Sequence, residues 1–180
     1  MLPIKYIHFE SIDSTNNWAK LNLESCPEDC LTVITADYQT AGRGRYSKQW
    51  ISQEKQNLLA TYVFYLDKST VDIVPLIQIL AKATVAYLKT LNINAQIKWP
   101  NDVLVEQKKI AGILCETVQM TNKTAIIEGI GLNVNMPQDI LSTIDQPATS
   151  LFSETDMTHS IDLVKEKLSK HFQIELNILF

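Results

Sequence analysis

Gly42-Arg43-Gly44-Arg45 lies inside the stretch Gln39-Thr40-Ala41-Gly42-Arg43-Gly44-Arg45-Tyr46-Ser47-Lys48-Gln49-Trp50 and holds the only two arginines of the 180-residue chain. Every other permanently basic side chain is lysine. Arginine presents a planar fork of donors that matches phosphate or carboxylate, which the point charge of lysine does not reproduce. Glycine permits φ > 0 and lets a ligand approach where a Cβ would clash. A segment alternating the two can wrap an anionic group, although a surface turn with two solvated arginines matches the same four letters. The glycines carry the argument further. All five fall in three short segments, at Gly42 and Gly44, at Gly112, and at Gly129 and Gly131. Brought together, those segments form a shallow floor for a flat or extended ligand, with Arg43, Arg45 and Lys109 as positive charge around it.

The elements that must position these residues follow from periodicity. Ile4 to Glu10 has the pattern of a half-buried strand, and it leads into the N-cap cluster Asp13-Ser14-Thr15-Asn16 ahead of a short helix with Trp18, Ala19 and Leu21. Leu31 to Tyr38 and Asn57 to Leu66 read as core strands on either side of the glycine-arginine loop. Val71 to Leu91 carries Ile73, Leu76, Ile77, Leu80, Ala83, Tyr87, Leu88 and Leu91 at helical spacing, with Thr84 as a polar residue on that face. Two short strands, Ile97 to Trp99 and Val103 to Glu106, flank a Pro100-Asn101-Asp102 turn. Lys109 to Glu116 and Ala125 to Asn135 form a further strand pair with glycines inside. Met136 to Thr158, with Pro137 and Pro147, cannot be one continuous helix and reads as an irregular, mobile loop beside the site. Ile161, Leu163, Val164, Leu168, Phe172, Leu176 and Leu179 mark a final helix ending at Phe180.

Composition bounds the function. A chain that is 46% hydrophobic can bury a proper core, and its length fits one domain spanning residues 1–180. Sixteen basic and twenty acidic residues give a net charge of −4 without a basic block, which argues against nucleic-acid or anionic-membrane binding. The longest apolar candidate, Val71 to Leu91, is interrupted by Pro75, Gln78, Lys82 and Lys89, so no membrane span is expected. Cys26, Cys30 and Cys115 leave one thiol over in any disulfide scheme, and Met1-Leu2-Pro3-Ile4-Lys5 lacks the apolar run of a signal peptide, so a reducing, cytoplasmic setting is expected. Cys26-Pro27-Glu28-Asp29-Cys30 lacks a second ligand pair and suits no common zinc site, so both cysteines read as structural.

Five segments, in order, resemble the catalytic domain of biotin protein ligases: Ser14-Thr15-Asn16; Gln39 to Arg45 followed by Trp50; Lys98-Trp99-Pro100-Asn101-Asp102; Lys109-Ile110-Ala111-Gly112-Ile113-Leu114; and Gly129-Ile130-Gly131-Leu132-Asn133. Each alone is weak, but their shared order covers nearly the whole chain. The resemblance implies an α+β fold of the class II synthetase-like biotin/lipoate ligase type, a mixed and mostly antiparallel sheet with packed helices. It implies a ligase that joins biotin and MgATP into biotinyl-5′-adenylate and passes the biotinyl group to a lysine of a biotin carboxyl carrier protein. By family position Ser14, Thr15, Asn16 and Gln39 would contact biotin, as would Gly42, Arg43, Gly44, Arg45, Trp50, Lys109, Gly112, Gly131 and Asn133. Arg43, Arg45, Lys98, Asn101, Lys109 and Asn133 would face the nucleotide. Lys109 would bridge carboxylate and α-phosphate as the leading catalytic group, with Arg43 beside it. Asn101 and Asp102 would hold Mg²⁺ or triphosphate, or serve only as a structural turn.

Two departures stand out. The family often continues its loop with a later glycine and arginine, where this chain has Tyr46-Ser47-Lys48-Gln49-Trp50. The sequence is expected to be a short form, without the small β-barrel that many relatives carry after the final helix and without an N-terminal DNA-binding domain, so self-contained repression is not expected. A homodimer paired through sheet edges is within the family's range. The rival readings are a lipoate or octanoyl transferase of the same fold and a non-catalytic biotin-binding or partner-binding module.

Overall fold

The computed structural model describes residues 1–67, 76 and 78–179. Among the described residues seven strands form one sheet: β1 (Ile4–Ile12), β2 (Leu31–Gln39), β3 (Asn57–Asp67), β4 (Ala95–Lys98), β5 (Asp102–Val105), β6 (Lys108–Gln119) and β7 (Lys123–Asn133), in spatial order β1-β2-β3-β7-β6-β5-β4. Only β1 and β2 run parallel; every other neighbouring pair is antiparallel. Among the described residues the α-helices are α1 (Thr15–Leu21), α2 (Ile79–Thr90), α3 (Gln138–Leu141), α4 (Leu151–Thr155) and α5 (Ile161–Leu179). The α+β architecture is the one expected.

Strict alternation sorts the central strands onto two faces. Leu58, Ala60, Tyr62 and Phe64 of β3, Ala111 and Ile113 of β6, and Ile126, Ile130 and Leu132 of β7 pack in one core with Leu80, Ala83 and Leu88 of α2 and Val164, Leu168, Phe172 and Leu176 of α5. Phe172 stacks on Tyr62 with ring centroids 4.6 Å apart, and the buried Tyr62 hydroxyl meets Ser169 Oγ at 3.2 Å. Each such large apolar side chain contributes about 1.5–3 kcal/mol by leaving water. On the opposite face a smaller cluster of Ala19, Cys26, Ile34, Val63 and Ile127 seats α1. The rest of that face, at the end where β7 gives way to glycine, is left for the cleft.

Some expectations change. Of the span Val71 to Leu91, α2 accounts for Ile79–Thr90; the expected core positions Ile73 and Ile77 lie outside the described residues, as does Phe180. Thr84 is buried in the helix and satisfies its hydroxyl on Leu80 O at 2.7 Å. Leu163 is 52% exposed rather than core, because the buried stripe of α5 runs through Val164 and Leu168 at four-residue spacing. Met136 to Thr158 contains two short helices. The second is capped by Ser150, whose side chain accepts from Ser153 N at 3.1 Å. No helix among the described residues is long and apolar enough to cross a membrane.

Candidate active site

Gly112 and Gly131 are directly paired across β6 and β7, and the indole of Trp50 lies over them. A Cβ at Gly131 would overlap that indole, and one at Gly112 would sit 2.9 Å from Trp50 Cζ3 and 3.1 Å from Lys109 Cε. The glycines therefore serve close approach. None of the five has a positive φ, so the conformational freedom expected from them is not what the site uses. The third glycine segment lies over the sheet as a loop and not within it.

That loop runs from β2 to β3 and closes on itself. Gly44 N donates to Lys48 O at 2.7 Å and Trp50 N to Gly42 O at 3.0 Å, while Tyr46 takes the left-handed conformation at φ 55°. The turn thus closes without the later glycine that the family often carries. Beneath it is a cleft of about 590 Å³, within the usual range for small-molecule sites.

One end of the cleft is a polar group built by α1. Ser14 caps the helix, accepting from Asn17 N at 3.4 Å. Thr15 donates to Gln39 Oε1 through both its N–H at 2.8 Å and its hydroxyl at 3.0 Å. A backbone N–H can only donate, so this contact sets the amide orientation of Gln39 and turns Nε2 toward Gly42. Asn16 fills the space over Gly129, where a Cβ would overlap its carboxamide. Its Oδ1 lies 2.6 Å from Thr61 Oγ1, and its Nδ2 donates to Leu114 O at 3.1 Å.

The other end is charged. Arg43, Arg45, Lys48 and Lys109 line the cleft against Asp102 and Asp145, so the cleft reverses the sign of a protein whose net charge is −4. Lys109 Nζ lies 2.7 Å from Asp102 Oδ1 and 5.6 Å from the centre of the Trp50 ring. The Asp102 contact is short but poorly aligned, since Oδ1 is a buried oxygen without a directed hydrogen bond. It is an ion pair held by charge. Arg45 Nη1 reaches Asn101 Oδ1 at 3.3 Å. Arg43 Nη2 is bound to Glu116 Oε2 at 2.9 Å.

All of the expected residues except two line this cleft. Gly42 is buried between Gln39 and Trp50 and does not reach the lining, and Lys98 is an exposed residue of β4 away from it. Asn133 lines the cleft, but both ends of its carboxamide are used within the protein, accepting from Asn57 Nδ2 at 3.0 Å and donating to Thr149 O at 2.9 Å. Sequence reasoning missed Glu116, Tyr46, Lys48 and the wall at Thr143, Ile144, Asp145 and Gln146. Glu116 was findable, because alternation from Gly112 places residue 116 on the same face. The wall was not, because its approach depends on a long-range bridge: Lys109 N donates to Pro147 O at 2.8 Å and Thr149 N to Lys109 O at 3.0 Å. The expected mobile loop is thus hydrogen-bonded to both sides of the Lys109 backbone.

Two carboxyl groups, one on β6 and one on β7, are displaced from their ordinary values. Burial pushes Glu116 upward, but hydrogen bonds from Lys20 and Asn16 and the charges of Arg43 and Lys20 outweigh it and hold the carboxyl below the usual range. On the core face, burial pushes Glu128 well above its ordinary value, partly opposed by the N–H of Leu80.

This chain is similar to the bifunctional ligase/repressor BirA of Bacillus subtilis, with 36% identity over 149 residues, 81% of this chain and 45% of that protein. It is 33% identical over 135 residues to biotin–protein ligase 2 of Arabidopsis thaliana, covering 71% of this chain and 40% of that one. The chain therefore spans less than half the length of these relatives. Among solved structures, the biotin protein ligase of Aquifex aeolicus in complex with biotin and ATP superposes with a TM-score of 0.76 at 30% identity, over 96% of this chain and 70% of that one. The Leishmania major biotin protein ligase in complex with biotinyl-5-AMP gives a TM-score of 0.73 at 25% identity, over 97% and 75%. With residues 8–133 matching its family model, the chain belongs to the biotin/lipoate A/B protein ligase family.

Proposed function

We propose that residues 1–180 act as one catalytic unit that activates biotin with MgATP and passes the biotinyl group to a lysine of a biotin carboxyl carrier protein. The observation that carries this reading is the polarity of one continuous cleft. A donor–acceptor group at Thr15 and Gln39 suits the ureido ring of biotin. The Trp50 indole, seated on its glycine floor, offers an apolar wall to the body of biotin, and cations at Lys109 and Arg45 suit a carboxylate meeting a phosphate. The Trp50 Nε1 donor, buried without a partner among the described residues, adds an N–H for an acceptor on the ligand.

In the first step a carboxylate oxygen of biotin attacks the α-phosphorus of ATP, an O–P bond to pyrophosphate breaks, and pyrophosphate leaves. Both reactants are anionic, so the protein's contribution is counter-charge and alignment, with Lys109 shared between carboxylate and α-phosphate. In the second step the carrier's lysine amine attacks the acyl carbon, AMP departs, and the amine gives up a proton. Asp102 is the residue the sequence offers to a metal. Its Oδ1 faces the Lys109 ammonium at 2.7 Å, and no group of three or more His, Cys, Asp or Glu side chains suited to a metal occurs among the described residues. Mg²⁺ is thus read as arriving with ATP, held chiefly by phosphate oxygens, while Asp102 orients Lys109. Three free cysteines, two of them buried, support a reducing, cytoplasmic setting.

The test is pyrophosphate release by the purified chain with biotin and MgATP, followed by avidin detection of a carrier domain. Both signals are expected. Tight biotin binding with no adenylate formed would sink the ligase reading and leave a binding module.

A further inference from the structure

The loop Gly42–Trp50 is the element that covers the cleft, yet its backbone does little to hold it there. Among the described residues its own backbone hydrogen bonds, from Gly44, Lys48 and Trp50, all close within the loop. Its seat on the body of the protein is made by side chains. Trp50 rests on the glycine floor, Arg45 makes a long contact to Asn101 at 3.3 Å, and Arg43 is bound to Glu116 at 2.9 Å.

Glu116 is an unusual partner for one loop arginine, because it is itself anchored from three sides. Its Oε1 accepts from Lys20 Nζ of α1 at 2.8 Å, its Oε2 accepts from Asn16 Nδ2 at 3.0 Å, and Arg43 approaches both oxygens, at 2.9 and 3.3 Å. Only 22% of its side chain is exposed. Asn16 in turn meets Thr61, which meets Thr15, which holds Gln39. A chain of polar contacts therefore runs from the Thr15–Gln39 end of the cleft to the loop above it. Since Lys20 and Asn16 fix the carboxylate in place, the guanidinium is the mobile member of the pair.

We infer that Glu116 is the positioning residue for the Gly42–Trp50 loop: through Arg43 it seats the loop over the cleft and couples that seat to Asn16 and the Thr15–Gln39 pair. Arg43 accordingly acts as the loop's anchor, and Arg45 and Lys109 meet the anionic centre. The consequence for ligand rests on the reading of the cleft as a biotin-adenylate site; the brace itself does not.

The experiment has two arms, on Glu116→Gln, Arg43→Ala and the double variant of the full chain. In the ligand-free protein, hydrogen exchange of the Gly44 and Trp50 amides is expected to rise roughly tenfold in each single variant, the order expected for losing a half-exposed charged hydrogen bond. It should rise no further in the double variant, with the β3 and β7 core amides unchanged. Unchanged loop exchange in Glu116→Gln, or core amides accelerated as much as the loop, overturns the proposal. With biotin and MgATP, the dissociation rate of the bound adenylate should rise in both single variants and again not multiply in the double. Multiplying effects would mean that Arg43 meets the ligand on its own, which also overturns it. If the wild type makes no adenylate, the ligase reading falls, and the exchange arm still decides the brace.

Discussion

At the residue scale, Lys109 is the centre of the proposed chemistry and Asp102 its counter-ion. Lys109→Ala removes the cation shared by carboxylate and phosphate, so turnover should fall by ~10²–10³, the usual cost of losing one aimed electrostatic contact. The fold should persist with a lowered melting temperature, because removing the ammonium leaves the buried Asp102 Oδ1 without its counter-ion. Pyrophosphate release and a thermal melt measure both, and retained turnover would show that the site is misplaced. Gly131 makes a second, steric case. A Cβ there overlaps the Trp50 indole, so Gly131→Ala should lift the ring off its floor and cost about 1–3 kcal/mol of biotin affinity, as overpacking does elsewhere. Calorimetric titration reads it directly, and unchanged affinity would mean that the seat of Trp50 on the floor does not shape the ligand site. The glycines were legible as a group because their number is so small. Their mechanism was not, since approach by a side chain fifty or more positions away is invisible in the local sequence.

At the element scale, α2 rests on the sheet over a buried acid. Leu80 N donates to Glu128 Oε2 at 3.2 Å, while Oε1 is buried without a partner among the described residues. Burial raises this carboxyl above its ordinary value of 4.5, so the folded chain holds the proton more tightly than the unfolded one. The stability this contributes is fully present below pH 4.5 and is lost as pH rises through the higher folded value. Glu128→Gln keeps the shape and the acceptor for Leu80 but cannot ionise. Its urea midpoint should exceed wild type near about pH 8 and converge toward it near about pH 4; a constant offset across that range would refute the assignment. The helical stripes of α2 and α5 were readable from periodicity, because a 3.6-residue repeat carries its own burial pattern. An acid on an inward strand position breaks that pattern, and only the packed sheet reveals that it is buried.

At the scale of the whole molecule, a chain of net charge −4 concentrates cations in one cleft. Attraction for an anionic nucleotide should therefore be strongly screened by salt, given a Debye length of ~10 Å at 0.1 M. The apparent affinity for MgATP should weaken several-fold between about 0.05 and 0.5 M KCl, while that for the less highly charged biotin changes less. Equal salt dependence for both ligands would place the nucleotide elsewhere.

By itself the sequence determined the strand and helix order, the motif segments and the grouping of the glycines into three short stretches, while the α+β class came from the family resemblance those segments carry. It could do so because side-chain periodicity and residue economy are local properties. Only the tertiary structure decided which charges face which. It paired Arg43 with Glu116 across 73 positions and Lys109 with Asp102, spent the Asn133 amide inside the protein, and drew the segment after Met136 against β6. Those outcomes depend on strand register and on loops crossing the sheet, and neither is written in the spacing of any one segment.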